Sequence, residues 1–207
     1  IQYIISIHGP IILTVSVPVI LNWKFPNIFP TVHIIFLEMV MGPTCSLFYE
    51  NEPLEKKHML LPPRKMTTNF LQWRELSISV VQGLVISAGT LGAYQYAVYN
   101  GFDDDHTRAF IFTVLVVANI FLTLVNRSFN YSVFTAFKYK NNLLWIMLAA
   151  TAALLVAMLY IPPLGHFFSF SALSVTEFGL AALTGFVSVI WFEGYKWLKR
   201  MKTGIQL

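Results

Sequence analysis

The chain has 207 residues, of which 56% are apolar and only 12% are charged, and its mean hydropathy is +0.63. A soluble domain normally carries about 25% charged residues, so this chain has too little polar surface to cover a soluble globule. The composition excludes a disordered chain, and the single cysteine, Cys45, excludes a disulfide scaffold within the chain. We interpret the chain as an integral membrane protein.

Six apolar segments follow one another along the chain, each close to the ~20 residues that a membrane-crossing helix needs. They cover residues 1–23, 30–49, 76–99, 109–126, 143–161 and 175–195. Glu38 interrupts the second segment, and Pro162 and Pro163 close the fifth. The sequence therefore predicts an all-α fold, a polytopic membrane helix bundle with six transmembrane helices in one domain over residues 1–207.

The basic residues indicate the orientation of the bundle. Twelve of the 14 Lys and Arg residues lie in the loops after the second and fourth segments and in the C-terminal tail. The opposite side holds only Lys24 and Arg108, next to the acidic run 103–105. Because short cytoplasmic loops are rich in Lys and Arg, we expect a multi-pass protein of the cell membrane with both chain ends cytoplasmic. The net positive charge then reflects topology, and no nucleic acid is expected as a partner.

Soluble catalytic motifs are missing from the sequence. It contains no glycine-rich phosphate loop, no arguable Ser-His-Asp set and no Cys or His spacing typical of a metal site. We therefore expect no catalytic residue in this chain.

Glu38 is the most informative polar residue. It is the ninth residue of the 20-residue second segment, near the bilayer centre, where inserting a carboxylate costs roughly 2.5–3.5 kcal/mol. Gly42 and Pro43 follow one turn later, and a proline at position 43 leaves the Met39 carbonyl without its helical donor. Interrupted helices around a midplane carboxylate are typical of cation sites in transporters, although a neutral glutamic acid can also simply hydrogen-bond a neighbouring helix.

The first segment repeats this arrangement with His8, Gly9 and Pro10, where Pro10 frees the Ser6 carbonyl. Asn119, in the middle of the fourth segment, offers an amide oxygen. The sequence predicts a cation or proton site made of Glu38, the Met39 and Ser6 carbonyls and Asn119, with His8 tuning the proton affinity of the carboxylate. Interhelical hydrogen bonding is the alternative for His8 and Asn119, and the sequence leaves the identity of any metal open.

The segment FYENEP at 48–53, followed by Met59 and by PPR at 62–64, resembles the cytoplasmic loop after the sixth membrane helix of cation-transporting P-type ATPases. The opening IQYIIS is similar to the fifth helix of these pumps. The six predicted segments then match helices five to ten, so the resemblance covers almost the whole chain.

The resemblance implies that the chain is the C-terminal transmembrane transport domain fragment of a pump with an aspartyl-phosphate cycle. Its expected partners are the lipid bilayer, a transported cation or proton, and the upstream cytoplasmic ATPase domains and membrane helices of the same parent chain. ATP and Mg²⁺ are implied for the full-length parent, with no cofactor in this chain. The start at Ile1 within an apolar segment agrees with a piece of a longer sequence.

Several positions depart from the pattern of calcium pumps, which carry Asn, Thr and Asp in the sixth helix. The matching stretch here reads EMVMG at 38–42, so Glu38 replaces Asn while Thr and Asp are lost. Ile11 stands at the fifth-helix Glu, His8 at a nearby Asn and Asn119 at the eighth-helix Glu. Calcium commonly uses several carboxylates, so the resemblance implies a cation pump without fixing calcium as its ion.

Two interpretations from other classes remain open on the sequence alone. One is a stand-alone six-span proton-coupled carrier or channel built around Glu38. The other is a non-transporting membrane subunit that only binds a partner.

Overall fold

The computed structural model describes residues 2–43, 73–127 and 141–203, and every regular element in these ranges is a helix. In chain order the helices are α1 (Gln2–Ile20), α2 (Thr31–Pro43), α3 (Trp73–Tyr99), α4 (Asp104–Val125), α5 (Asn142–Tyr160), α6 (Pro162–Phe168) and α7 (Val175–Thr203). The predicted all-α fold class is confirmed.

Five of these helices, namely α1, α3, α4, α5 and α7, are long and apolar enough to cross a membrane. The apolar part of α2, Thr31–Val40, is shorter, and the rest of the predicted second segment lies outside the described residues. Cys45, Met59 and the loop at 48–64 lie there too. The chain is a polytopic helical membrane protein, and the described part supports the predicted six spans as an approximate count.

Two of the differences from the predicted segments have local reasons. The fourth helix begins at Asp104 rather than at 109, because Asp103 caps it by accepting a 2.8 Å hydrogen bond from the His106 N–H. The first acidic residues of α4 also suit the positive end of the helix dipole. After α5 ends at Tyr160, a short helix that was not predicted starts at Pro162, since proline is well suited to the first position of a helix.

Helix α4 lies at the centre of the described bundle. In its most apolar window 83% of the residues are buried, against 28% in α5 and in α7. It packs most extensively against α7, and the two backbones approach closely at Gly185. A Cβ atom there would lie 2.8 Å from the Val114 carbonyl oxygen and 2.9 Å from the Ala118 nitrogen, so this contact requires glycine.

Buried cationic side chains hold both ends of α4. At its start, Arg108 donates to the carbonyls of Ile28 (2.8 Å) and Ser169 (3.1 Å) and pairs with Asp104 and Asp105. At its end, the Lys196 ammonium group on α7 donates to the Val125 carbonyl at 2.9 Å. A positive charge at the C-terminus of a helix is favourable, and both contacts tie α4 to neighbouring parts of the chain.

Helix α1 packs against α3 and contains both Pro10 and Pro18. The helix nevertheless continues without interruption from Gln2 to Ile20. The prolines therefore remove single backbone hydrogen bonds without unwinding the helix.

Candidate cation site

The structure brings Glu38 of α2 and His8 of α1 into direct contact. The His8 Nε2 atom lies 3.1 Å from Glu38 Oε1 and 3.2 Å from Oε2. The side chains are 40% and 44% exposed, respectively, in the described structure. The two most polar residues of the predicted site therefore form a pair at an open edge of the bundle.

The other ring nitrogen of His8 determines where the protons of this pair lie. His8 Nδ1 lies 2.8 Å from the Ile4 carbonyl oxygen one turn earlier. Because a carbonyl can only accept, Nδ1 carries a hydrogen. The contact between Nε2 and the carboxyl group then needs one more proton, held either by an imidazolium ion or by a neutral glutamic acid. In either form the pair as a whole is neutral.

Ser6 and Asn119 lie on the other side of α1, away from this pair. The Tyr3 hydroxyl donates to the side-chain oxygen of Asn119 and lies 3.0 Å from the Thr123 hydroxyl. Asn119 is only 4% exposed. The amide that was predicted to reach Glu38 is thus engaged between α1 and α4.

Ser6 belongs to a second buried contact between α1, α3 and the end of α4. Its hydroxyl lies 3.0 Å from the Gln82 side-chain oxygen. Gln82 in turn donates to Asn126 at 2.9 Å, and the Asn126 amide donates back at 3.3 Å. The backbone oxygen of Ser6 faces α3 as well, since a Cβ atom at Gly83 would lie 3.3 Å from it.

The remaining predicted residues are on α2. The Met39 side chain is 58% exposed, and Gly42 lies in the last turn of the helix. The structure thus separates Glu38 and His8, which are in contact, from the buried Ser6 and Asn119, and it places Met39 and Gly42 on α2 with Glu38. A single site that unites all six stays a prediction.

Sequence reasoning missed Tyr3, Gln82 and Asn126. Polar amides within or next to apolar segments were an available signal, because such residues are costly in a membrane and are expected to pair. Within the described residues, no three His, Cys, Asp or Glu side chains come together to hold a metal ion. The Glu38 and His8 pair is therefore the candidate site, with two ionisable groups rather than a cage of carboxylates.

Five helices long enough to span a membrane, with an imidazole and paired amides on or beside them and a carboxylate on the neighbouring α2, are typical of membrane transport domains. A family model agrees with this class. The family described as "Cation transporting ATPase, C-terminus" matches residues 26–198, and the chain belongs to this family.

The individual relatives share about a quarter of their aligned residues with the chain. The chain is 24% identical over 193 residues to the calcium-transporting ATPase type 2C member 1 of Homo sapiens. This alignment covers 93% of the chain and 21% of the relative. It is 26% identical over a 238-residue alignment to calcium-transporting ATPase 3, endoplasmic reticulum-type, of Arabidopsis thaliana, covering all of this chain and 23% of the relative. The chain spans about a fifth of the length of the curated relatives it matches.

Proposed function

We propose that this chain works as the membrane-embedded, C-terminal part of an ATP-driven cation pump, with Glu38 and His8 on the cation pathway. The observation that carries the proposal is the contact between these two side chains, in a chain that belongs to the C-terminal family of cation-transporting ATPases. Family membership favours this function over a stand-alone carrier, a channel or a partner-binding subunit.

The chemistry of the pair suits a site that exchanges ions. A carboxylate in a low-dielectric environment resists ionisation unless a positive charge or hydrogen-bond donors compensate it. In this proposal, the contact with His8 supplies this compensation. A transported cation supplies the same charge when it replaces the proton, so Glu38 alternates between the two as the site opens to each side.

The open side of the pair supports a site completed by other helices. The Glu38 side chain is 44% exposed, and the described residues offer it no second carboxylate. We infer that membrane helices upstream in the parent chain cover this side and supply further oxygen ligands. ATP, Mg²⁺ and the phosphorylated aspartate belong, in this proposal, to the cytoplasmic domains of the same parent.

The Lys and Arg distribution supports cytoplasmic positions for both ends of the chain. The same argument applies to a cell membrane and to an organelle membrane, so it supports the orientation alone. The relatives are named as calcium-transporting, whereas calcium takes 6–8 oxygen ligands, often with several carboxylates. Ca²⁺ is therefore the first ion to test, with Na⁺ and K⁺ beside it.

The test uses the full-length protein that contains this segment, purified as wild type and as Glu38→Gln. Glutamine keeps the shape of the side chain and removes its charge, so the variant should fold. We expect the cation concentration for half-maximal ATP hydrolysis to rise at least tenfold, which corresponds to about 1.4 kcal/mol of lost cation binding. We also expect the pH dependence of hydrolysis to flatten.

Glu177→Gln is the matched control. Glu177 lies at the start of α7, where it accepts a 2.7 Å hydrogen bond from the Ser174 N–H, far along the chain from the pair. The same change of charge there should alter cation activation by less than about twofold. Unchanged cation activation and pH dependence in Glu38→Gln would make Glu38 a structural hydrogen-bonding residue and refute the proposed site.

A further inference from the structure

Gln82 on α3 makes a buried polar contact with α1 close to the candidate site. Its side-chain oxygen lies 3.0 Å from the Ser6 hydroxyl, and its exposed fraction is 2%, against 0% for Ser6. The reciprocal amide pair with Asn126 fixes the orientation of the Gln82 side chain. This bond links α3 to α1 at Ser6, two residues before His8.

Ser6 has an alternative partner within its own helix. Its hydroxyl also lies 3.0 Å from the Gln2 carbonyl oxygen, four residues earlier. A serine hydroxyl has one hydrogen, so Gln82 competes with the backbone of α1 for it. Without Gln82, the Ser6 hydroxyl would bond only within α1 and the polar link from this turn to α3 would be lost.

Gly83, the neighbour of Gln82, contacts the same turn of α1. A Cβ atom at Gly83 would lie 3.3 Å from the Ser6 carbonyl oxygen and 3.4 Å from Pro10 Cδ. Pro10 removes the N–H that would have bonded the Ser6 carbonyl within the helix. Helix α3 therefore packs against the Ser6–Pro10 turn of α1, in which Pro10 has removed a backbone hydrogen bond. His8 lies inside this turn.

We propose that Gln82 and Gly83 hold the Ser6–Pro10 turn of α1 in place and so position His8 against Glu38. Gln82 is a positioning residue: it touches neither Glu38 nor His8 and acts on the pair through the backbone of α1. This inference rests on the proposed function, because it assigns Gln82 an effect on the same cation site.

The experiment compares wild type, Gln82→Leu and Ser6→Ala in the full-length pump. Both variants remove the bond between Ser6 and Gln82, and Ser6→Ala does so with a smaller change that keeps the backbone carbonyl. The readout is ATP hydrolysis against the concentration of the cation that activates the wild type, with Ca²⁺ tried first. We expect the half-maximal concentration to rise about threefold, which corresponds to the roughly 0.6 kcal/mol that a hydrogen bond between membrane helices contributes on average, with the maximal rate within about twofold of wild type.

A double variant and a control separate positioning from general stability. If both residues act through one bond, Gln82→Leu with Ser6→Ala should be no worse than the larger single effect. Thr90→Val removes another buried hydroxyl of α3, whose partner among the described residues is the Ile86 carbonyl of its own helix at 2.8 Å. It should leave the half-maximal concentration unchanged.

An unchanged half-maximal concentration in Ser6→Ala would overturn the inference, even if Gln82→Leu failed to fold. A rise of the same size in Thr90→Val would overturn it too, because any buried polar loss would then have this effect. If Glu38→Gln changes cation activation and these variants do not, the positioning inference alone fails. If Glu38→Gln has no effect, the proposed function fails first.

Discussion

Arg108 shows how one buried residue can fasten several loops at the end of a membrane bundle. Its exposed fraction is 5%, and it donates to carbonyls that precede α2 and that follow α6. Its carboxylate partners, Asp104 and Asp105, are about half exposed and remain hydrated when the arginine is removed. Most of the stabilisation should therefore come from the two carbonyl contacts.

We predict that Arg108→Met destabilises the protein by about 3–6 kcal/mol, because two carbonyls lose a charged donor worth roughly 1.5–3 kcal/mol each while the apolar stem is kept. The measurement is thermal or denaturant unfolding of the purified protein in detergent. Lys24→Met removes an exposed charge whose Nζ lies 5.0 Å from the Phe25 ring centre and should cost under about 1 kcal/mol. Equal losses in the two variants would contradict this account of Arg108.

The structure separates the residues of the predicted site, and helical geometry explains why. Glu38 and His8 stood out because charge and imidazole at membrane depth are costly. Ser6 was included for its backbone carbonyl, which Pro10 leaves without a helical donor, whereas its side chain points about 200° around the helix from His8. Applying the helical period to α1 would have placed Ser6 with Tyr3 on the buried face. Gln82 and Asn126 become partners only through the packing of α3 against α4, and no local pattern in the sequence predicts this packing.

At the scale of elements, the packing of α4 against α7 depends on the lack of a side chain at Gly185. A Cβ atom would lie under 3 Å from two backbone atoms of α4, and backbone cannot move as a flexible side chain can. Small residues that let two helices approach are the usual basis of packing between membrane helices.

We predict that Gly185→Ala destabilises the bundle by roughly 1–3 kcal/mol, the cost of overpacking a tight contact. Gly179→Ala on the same helix is the control, because its Cβ atom would meet nothing within 4 Å, and it should be neutral or slightly stabilising. Unfolding in detergent measures both. Similar stability of the two variants would show that α4 and α7 are not held as closely as described.

Helix type was predictable and helix ends were less so. Long apolar segments predicted α1, α3, α4, α5 and α7, because length and hydropathy are strong signals for spanning helices. The start of α4 was missed since charged residues were assigned to the loop, whereas the cap at Asp103 draws the acidic run into the first turn. The two prolines after α5 were read as a stop signal, and they also begin α6.

For the whole molecule, the proposed orientation rests on the distribution of Lys and Arg and can be measured. In a background of the full-length protein in which alanine replaces Cys45 and every other native cysteine, single cysteines replace Asn100, which is exposed in the turn after α3, and Met201, which is 60% exposed near the end of α7. We predict that a membrane-impermeant maleimide labels the cysteine at 201 only from the cytoplasmic side and the cysteine at 100 only from the opposite side. Labelling of both from one side would contradict the proposed topology.

The central claim is that ATP-driven cation movement passes through the Glu38 and His8 pair. Its most direct test is uptake of the activating cation into sealed vesicles that contain the full-length protein, with ATP outside, for wild type, Glu38→Gln and Glu177→Gln at equal amounts of folded protein. The account predicts uptake by wild type and Glu177→Gln and at least a tenfold lower initial rate for Glu38→Gln at subsaturating cation, since a tenfold weaker site fills one tenth as often. Equal initial rates for wild type and Glu38→Gln would contradict it.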